Sequence, residues 1–276
     1  LWGFMMYKRG EGHSFRRMKL NTNKKWDHLI LNTRQREVLY TYLNRFKDKS
    51  WYLDMGIPYK ATFLLHGPPG TGKTTIIKIL AEQYRRHVVL FSLKSLQNEE
   101  FQELFYDYRF RDNLDKFIYV FEDIDADTKA VWNRELLQSM ENKSSGDKEK
   151  ESDNDLVKVS EIKSVGQSSD TGLTLATILQ MLDGVIENTG LMVVATTNHY
   201  ERLDPAFIRR FHCRLELSYC CQETANMIAQ RFFGRTFTSD EWEKVGTFVE
   251  KKTPNMMIEL ATSSPHWEFF LQELHK

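Results

Sequence analysis

Gly67-Pro-Pro-Gly-Thr-Gly-Lys73-Thr74 has the form G-x-x-x-x-G-K-[ST], with an apolar run before it and a helical pattern after it. Residues of these types at this spacing can hold phosphate. The glycines let the backbone wrap closely, so that successive N–H groups and the start of a helix face the anion. Lys73 brings a cation to the β and γ phosphates, and the Thr74 hydroxyl offers a ligand to Mg²⁺. A structural Gly-Pro turn is the competing explanation. The strand–loop–helix context argues against it.

About fifty residues on, Phe117-Ile-Tyr-Val-Phe121 runs into Glu122-Asp123-Ile124-Asp125. A buried strand that delivers carboxylates at its carboxyl edge places them where ligands sit in open α/β sheets. Nucleotide hydrolysis needs one acid by the Mg²⁺ shell and another to orient or polarise the attacking water. The usual order is Asp then Glu, and here it is reversed. Glu122, one methylene longer, would approach the metal more closely, and Asp123 would reach less far toward the water. Without the phosphate loop, acids at a strand end would be as readily structural as catalytic.

A third apolar run, Leu191 to Thr197, ends in Asn198-His199. Asn198 can hydrogen-bond the attacking water or the γ-phosphate, although on its own it reads as a turn residue. Asp204-Pro205-Ala206 then opens a short helix that Arg209 and Arg210 close. Such arginines either answer the helix dipole or reach a nucleotide held by a neighbouring subunit, stabilising charge in the transition state.

These residues need a scaffold, and the pattern supplies one. Strands are expected at Ala61 to His66, Val88 to Leu93, Phe117 to Glu122, Leu191 to Thr197 and Cys213 to Ser218, each a nearly continuous apolar run of the kind covered on both faces. Helical patterns lie at Leu31 to Phe46, Lys73 to Tyr84, Glu99 to Tyr106 and Leu173 to Leu182. This rhythm is that of an α/β domain with a parallel sheet. After Ser218 only helices are expected: Cys221 to Phe233, then two opened by Thr253-Pro254 and Ser264-Pro265 as cap and first-turn proline. Between about Met140 and Asp170 the chain is charged and polar without apolar periodicity, which predicts a disordered insertion in a surface loop.

The 276 residues carry 38 basic and 38 acidic side chains, 41% hydrophobic and 13% aromatic residues, enough for one large core or a core with a satellite. Disordered and collagen-like chains are excluded. Cys213, Cys220 and Cys221 fall in one window, the wrong number and placing for a disulfide framework, so a reducing compartment is expected. No apolar run reaches the roughly 18 residues of a membrane-spanning helix. The first 60 residues are rich in Lys and Arg, which raises nucleic acid, anionic lipid or an acidic partner as alternatives to a plain solvated surface.

The four chemical elements, in this order and spacing over Leu29 to Leu260, resemble the AAA+ ATPases. Within them the chain is similar to the Bcs-type branch, mitochondrial inner-membrane chaperones that translocate the Rieske iron–sulfur protein. Trp51-Tyr52 and Gly56-Ile57-Pro58-Tyr59 lead into the phosphate loop as in that branch, and Glu122-Asp123-Ile124-Asp125 repeats its inverted acid order. Leu182-Asp183-Gly184-Val185, Thr196-Thr197-Asn198-His199, Leu203-Asp204-Pro205-Ala206, and Tyr219-Cys220 with Arg231-Phe232-Phe233 complete the likeness.

The resemblance implies a P-loop NTPase three-layer α/β sandwich with a central parallel five-stranded sheet and a small C-terminal helical lid. It implies an end of a branch-specific region at 1–28, an ATPase core at 29–218 with the insertion at 141–171, and a lid at 219–276. ATP and Mg²⁺ are the implied cofactors. Gly67, Pro68, Pro69, Gly70, Thr71, Gly72, Lys73, Thr74 and Thr75 would form the Walker A loop, Glu122 and Asp123 Walker B, with Thr74 and Glu122 at the metal. Asn198 would be sensor 1, and Arg209 and Arg210 the finger positions. The family's Arg-Pro-Gly-Arg, apolar, Asp segment is altered: the Pro-Gly is missing and His212 stands for the Asp, so which arginine reaches the neighbour is open. The insertion also departs from the branch, and Lys94 to Phe101 lacks the aromatic-apolar-Gly loop of threading unfoldases.

The expected function is Mg-dependent ATP hydrolysis by a homo-oligomeric ring that remodels or translocates a client protein. An ATP-binding scaffold with weak hydrolysis is the alternative, and a nucleic-acid-associated remodeller stands well behind it. The implied location is the mitochondrial inner membrane, through an anchor upstream of Leu1. A cytoplasmic or viral soluble remodeller is the other option.

Overall fold

The computed structural model describes residues 4–9, 15–20, 22–94, 96–106, 113–135, 137, 172–183 and 188–275. The expected insertion at 141–171, together with Ser95, Gly184 and Val185, lies outside the described residues. All five expected strands form: β3 (Ala61–His66), β4 (His87–Phe91), β5 (Phe117–Phe121), β6 (Met192–Thr197) and β7 (Cys213–Glu216). They pair in parallel in the order β4-β5-β6-β3-β7. A hairpin absent from the sequence reading, β1 (Phe4–Arg9) and β2 (Phe15–Leu20), extends this sheet at the β4 edge. Its strands are antiparallel to each other, and β1 runs parallel to β4 with Met6 opposite Val88.

Continuous apolar runs become two cores because successive side chains point to opposite faces. On β5, Phe117, Tyr119 and Phe121 enter one core while Ile118 and Val120 enter the other. On β3, Leu64 parts from Phe63 and Leu65 in the same way. The first face is covered by α4 (Asn98–Phe105), through Phe101 and Phe105, and by α6 (Leu175–Asp183), through Ile178 and Met181. The second is covered by α1 (Thr33–Lys47), with Leu39, Leu43 and Phe46, and by α3 (Lys73–Gln83), with Ile76 and Leu80. A short α2 (Lys49–Asp54) leads from α1 toward β3.

The carboxyl end carries a third core. Here α8 (Gln222–Phe233), α9 (Ser239–Val249), α10 (Pro254–Ser263) and α11 (Trp267–Leu274) bury Ile228, Val249, Met257 and Phe270 together. As expected, Thr253 caps α10 with Pro254 in its first turn, accepting the Met256 N–H at 3.4 Å. The expectation at Ser264-Pro265 needs correction. Ser264 closes α10, and α11 starts at Trp267 behind His266, whose ring Nδ1 accepts the Phe269 N–H at 3.2 Å. His266 can do this because its nitrogen reaches the third N–H of the turn, the geometry any N-cap acceptor must satisfy.

Candidate active site

The register sets β3, β5 and β6 to end together. His66 lies opposite Thr197 and Phe121 opposite Ala195, so the loops leaving these three strands emerge side by side. The phosphate loop follows β3. Its first residue, Gly67, has φ +130°, and a Cβ there would stand 1.8 Å from the Leu217 carbonyl oxygen. Only glycine lets the loop pass this close to the end of β7. α3 then opens at Lys73 behind Gly72, with no side chain capping its first N–H groups, which leaves them free to meet an anion.

Lys73 is 8% exposed. Its ammonium donates to the Gly67 carbonyl at 2.7 Å, the Pro68 carbonyl at 2.9 Å and Asn198 Oδ1 at 2.7 Å. Burial lowers its pKa, and the carboxylates of Asp123 and Asp125 oppose that shift. All its hydrogen bonds run to neutral oxygens, so the charge is positioned without being neutralised by contact. Thr71 tightens the loop, its hydroxyl donating to the Pro68 carbonyl at 2.9 Å.

The inverted acid pair divides as its lengths suggest. Thr74 Oγ1 donates to Glu122 Oε1 at 3.0 Å. Asp123 turns the chain out of β5 with φ +46°, a left-handed conformation that Asp tolerates better than most residues. Its N–H donates to Thr196 Oγ1 at 2.9 Å, and its Oδ1 receives Asn198 Nδ2 at 3.4 Å. The phosphate loop, Glu122, Asp123 and Asn198 therefore lie side by side. His66, half-buried beneath the loop, packs on Tyr200 with ring centroids 4.2 Å apart. Burial lowers its pKa; Glu216 opposes this and Lys73 adds to it.

The two arginines separate. They follow α7 (Pro205–Ile208), which Asp204 caps at the Ala206 N–H. Arg209 ends that helix as an exposed side chain. Arg210 turns to Asp183, Nε to Oδ2 at 3.0 Å, an ion pair without an aligned hydrogen bond. Asp183 also takes the Lys60 ammonium, which donates further to the Leu182 carbonyl at 2.9 Å.

A cavity of about 400 Å³ opens over the phosphate loop. One group of lining residues is Pro69 to Thr75, Asp123 and Asn198, and a second is Lys24, His28, Leu29, Ile30, Pro254, Asn255 and Ile258. Its size suits a nucleotide-scale ligand. The second group was not singled out from the sequence as site residues: Thr253-Pro254 registered only as a helix start, and 24–30 carries no motif. The lid touches the loop directly, Asn255 N–H donating to the Gly70 carbonyl at 3.0 Å.

Fold and site together define a phosphate-loop nucleotide-binding protein with a helical lid. Residues 63–219 match the family described as ATPase family associated with various cellular activities (AAA). The mitochondrial chaperone BCS1 of Bos taurus is 30% identical over 233 residues, 83% of this chain and 47% of that protein. The BCS1 chaperone of Homo sapiens is 32% identical over 190 residues, covering 67% and 38%. An AAA-ATPase of Arabidopsis thaliana is 30% identical over 211 residues, covering 74% and 40%. The chain belongs to the AAA family of ATPases and is of the Bcs1 type within it. It spans less than half the length of these relatives.

Proposed function

We propose that this chain is the motor part of a Bcs-type ATPase, in which hydrolysis of MgATP between adjacent subunits of a homo-oligomeric ring drives remodelling or translocation of a client protein. The observation that carries this reading is the convergence of Lys73, Thr74, Asp123 and Asn198 on one cavity, with Glu122 joined to them through its hydrogen bond with Thr74. Thr74 and Glu122 fit a Mg²⁺ ion. Their oxygens are 3.0 Å apart, and neighbouring ligands of an octahedral ion at about 2.1 Å lie about 3.0 Å from each other. Among the described residues no cluster of three His, Cys, Asp or Glu could hold a metal alone, so phosphate and water would complete its shell. The ion, when bound, neutralises charge on the phosphates.

In this reading Lys73 exchanges its carbonyl partners for phosphate oxygens, and Asp123 with Asn198 orients the water. Arg209 is the arginine that reaches the neighbour's nucleotide, because Arg210 is engaged with Asp183 in its own chain. The division at 1–28, 29–218 and 219–276 belongs to the same reading, the last part acting as a lid through Asn255. The names of the animal relatives motivate a mitochondrial site of action for the full-length protein; no helix among the described residues is long and apolar enough to cross a membrane. Phosphate release with MgATP tests the proposal. Turnover should need Mg²⁺ and vanish in Lys73→Ala and Asp123→Asn. Binding and assembly without phosphate release would instead select a nucleotide-dependent scaffold.

A further inference from the structure

Asp125 is a buried carboxylate, 4% exposed, that does not line the nucleotide cavity. It sits in α5 (Ile124–Asp127), the single turn that leaves β5 directly behind Glu122 and Asp123. The left-handed Asp123 reverses the chain so that the next acid, Asp125, points back under the end of β6. There Asp125 Oδ1 accepts the Thr197 hydroxyl at 2.6 Å and the Asn198 N–H at 3.3 Å. Thr197, itself fully buried, also accepts the His199 N–H at 2.9 Å. One hydroxyl thus donates to Asp125 and accepts from His199, which fixes the backbone on both sides of Asn198.

The side chain of Asn198 is held at two further points, Oδ1 by Lys73 at 2.7 Å and Nδ2 against Asp123 at 3.4 Å. The turn bearing Asp125 is anchored in turn: Trp132 Nε1 donates to the Asp125 carbonyl at 2.8 Å, and Asp127 accepts the N–H groups of Leu93 and Lys94. Apolar residues would fill this space at lower desolvation cost than a carboxylate. A charged acceptor is worth keeping where it aims a group within a few tenths of an ångström.

We propose that Asp125 is a positioning residue for ATP hydrolysis, acting through Thr197 and the backbone of Asn198 to hold the Asn198 amide between Lys73 and Asp123. The proposal rests on the reading that Asn198 serves the hydrolysis step. Its test is steady-state ATP turnover, nucleotide affinity and thermal unfolding of the full-length protein carrying Asp125→Asn, Asn198→Ala, both together, Thr197→Val and Thr197→Ser. Asp125→Asn and Asn198→Ala should each lower kcat about tenfold or more with KM within about threefold. The double variant should be no more than about twofold slower than Asn198→Ala, since Asp125 would have nothing left to aim. Thr197→Val should lose turnover, and Thr197→Ser, which keeps the hydroxyl, should retain it. If Asp125→Asn does not fold, the two Thr197 variants carry the test by that contrast. Loss of kcat in Asn198→Ala with none in Asp125→Asn overturns the inference and leaves the function standing. An equal loss from Asp125→Asn in the Asn198→Ala background also overturns it, as does a loss explained by lower melting temperature and weaker nucleotide binding. An unaffected Asn198→Ala removes both the inference and the assigned role of Asn198.

Discussion

Two sets of cations, Lys60 with Arg210 and Lys73, sit at opposite ends of the sheet and are partnered in opposite ways. At the amino ends of the strands, Lys60 and Arg210 both meet Asp183, so each cation has a carboxylate in contact. At the carboxyl ends, Lys73 is buried at 8% exposure yet bonds only carbonyl and amide oxygens, with Asp123 and Asp125 near but not touching it in any hydrogen bond. The first arrangement is finished and has nothing to gain from a ligand. The second holds a desolvated cation at the mouth of a cavity, next to uncapped N–H groups, and is completed by an anion. Architecture and chemistry are thus carried by similar residue types, and the difference lies in whether the partner belongs to the chain.

This contrast can be broken at either end. The largest effect is expected from Lys73→Ala, which should lower phosphate release by on the order of a hundredfold or more while the unfolding midpoint falls little, if at all. A large midpoint loss would make Lys73 a structural cation like Lys60. Gly67→Ala should come next, on stability: the added methyl meets the Leu217 carbonyl at a φ closed to alanine, costing about 2–4 kcal/mol in denaturant unfolding. At the amino end, Arg210→Ala should cost about 1 kcal/mol or less, because the pair with Asp183 is partly exposed. Arg209→Ala should leave stability unchanged and reduce turnover only where subunits assemble.

The smallest effect expected is on pH. His66 and His212 both have pKa values lowered by burial, so the unfolded chain binds protons that the folded chain does not. Stability should be intact above about pH 6.5 and decline as the pH falls through that value toward the lowered folded ones. Denaturant midpoints at pH 7.5 and 5.5 measure it, and His66→Gln should flatten the profile.

What the sequence revealed depended on how locally each feature is encoded. The phosphate loop, the acids and Asn198 were legible because eight contiguous residues, or a strand and its next two, contain the whole signal. Strands β3, β5 and β6 were legible because burial on two faces leaves nearly unbroken apolar runs, whereas β7, at the sheet edge, alternates buried Cys213 and Leu215 with exposed Arg214 and Glu216 and is not the continuous apolar run expected. The hairpin of Phe4–Arg9 and Phe15–Leu20 was hidden because Lys8, Arg9, Arg16 and Arg17 interrupt the apolar pattern by which a strand is read. In α9 the Thr238–Glu241 capping box was a usable signal, diluted by Gly246, Thr247 and two valines. Arg209 and Arg210 are adjacent in the chain but differ in exposure and partner, which only Asp183, brought in from α6, could decide. The rest of the cavity lining joins 24–30 to α10 across more than 200 residues, a juxtaposition no short pattern encodes.

The central claim is that hydrolysis uses Lys73 of one subunit and Arg209 of the next. Mixing full-length Lys73→Ala with full-length Arg209→Ala protein tests it most directly, because each lacks a part the other supplies. Each variant alone should release almost no phosphate, and the mixed assembly should regain turnover at interfaces that pair an intact loop with an intact arginine. A mixture that assembles and stays as inactive as its parents would contradict the account.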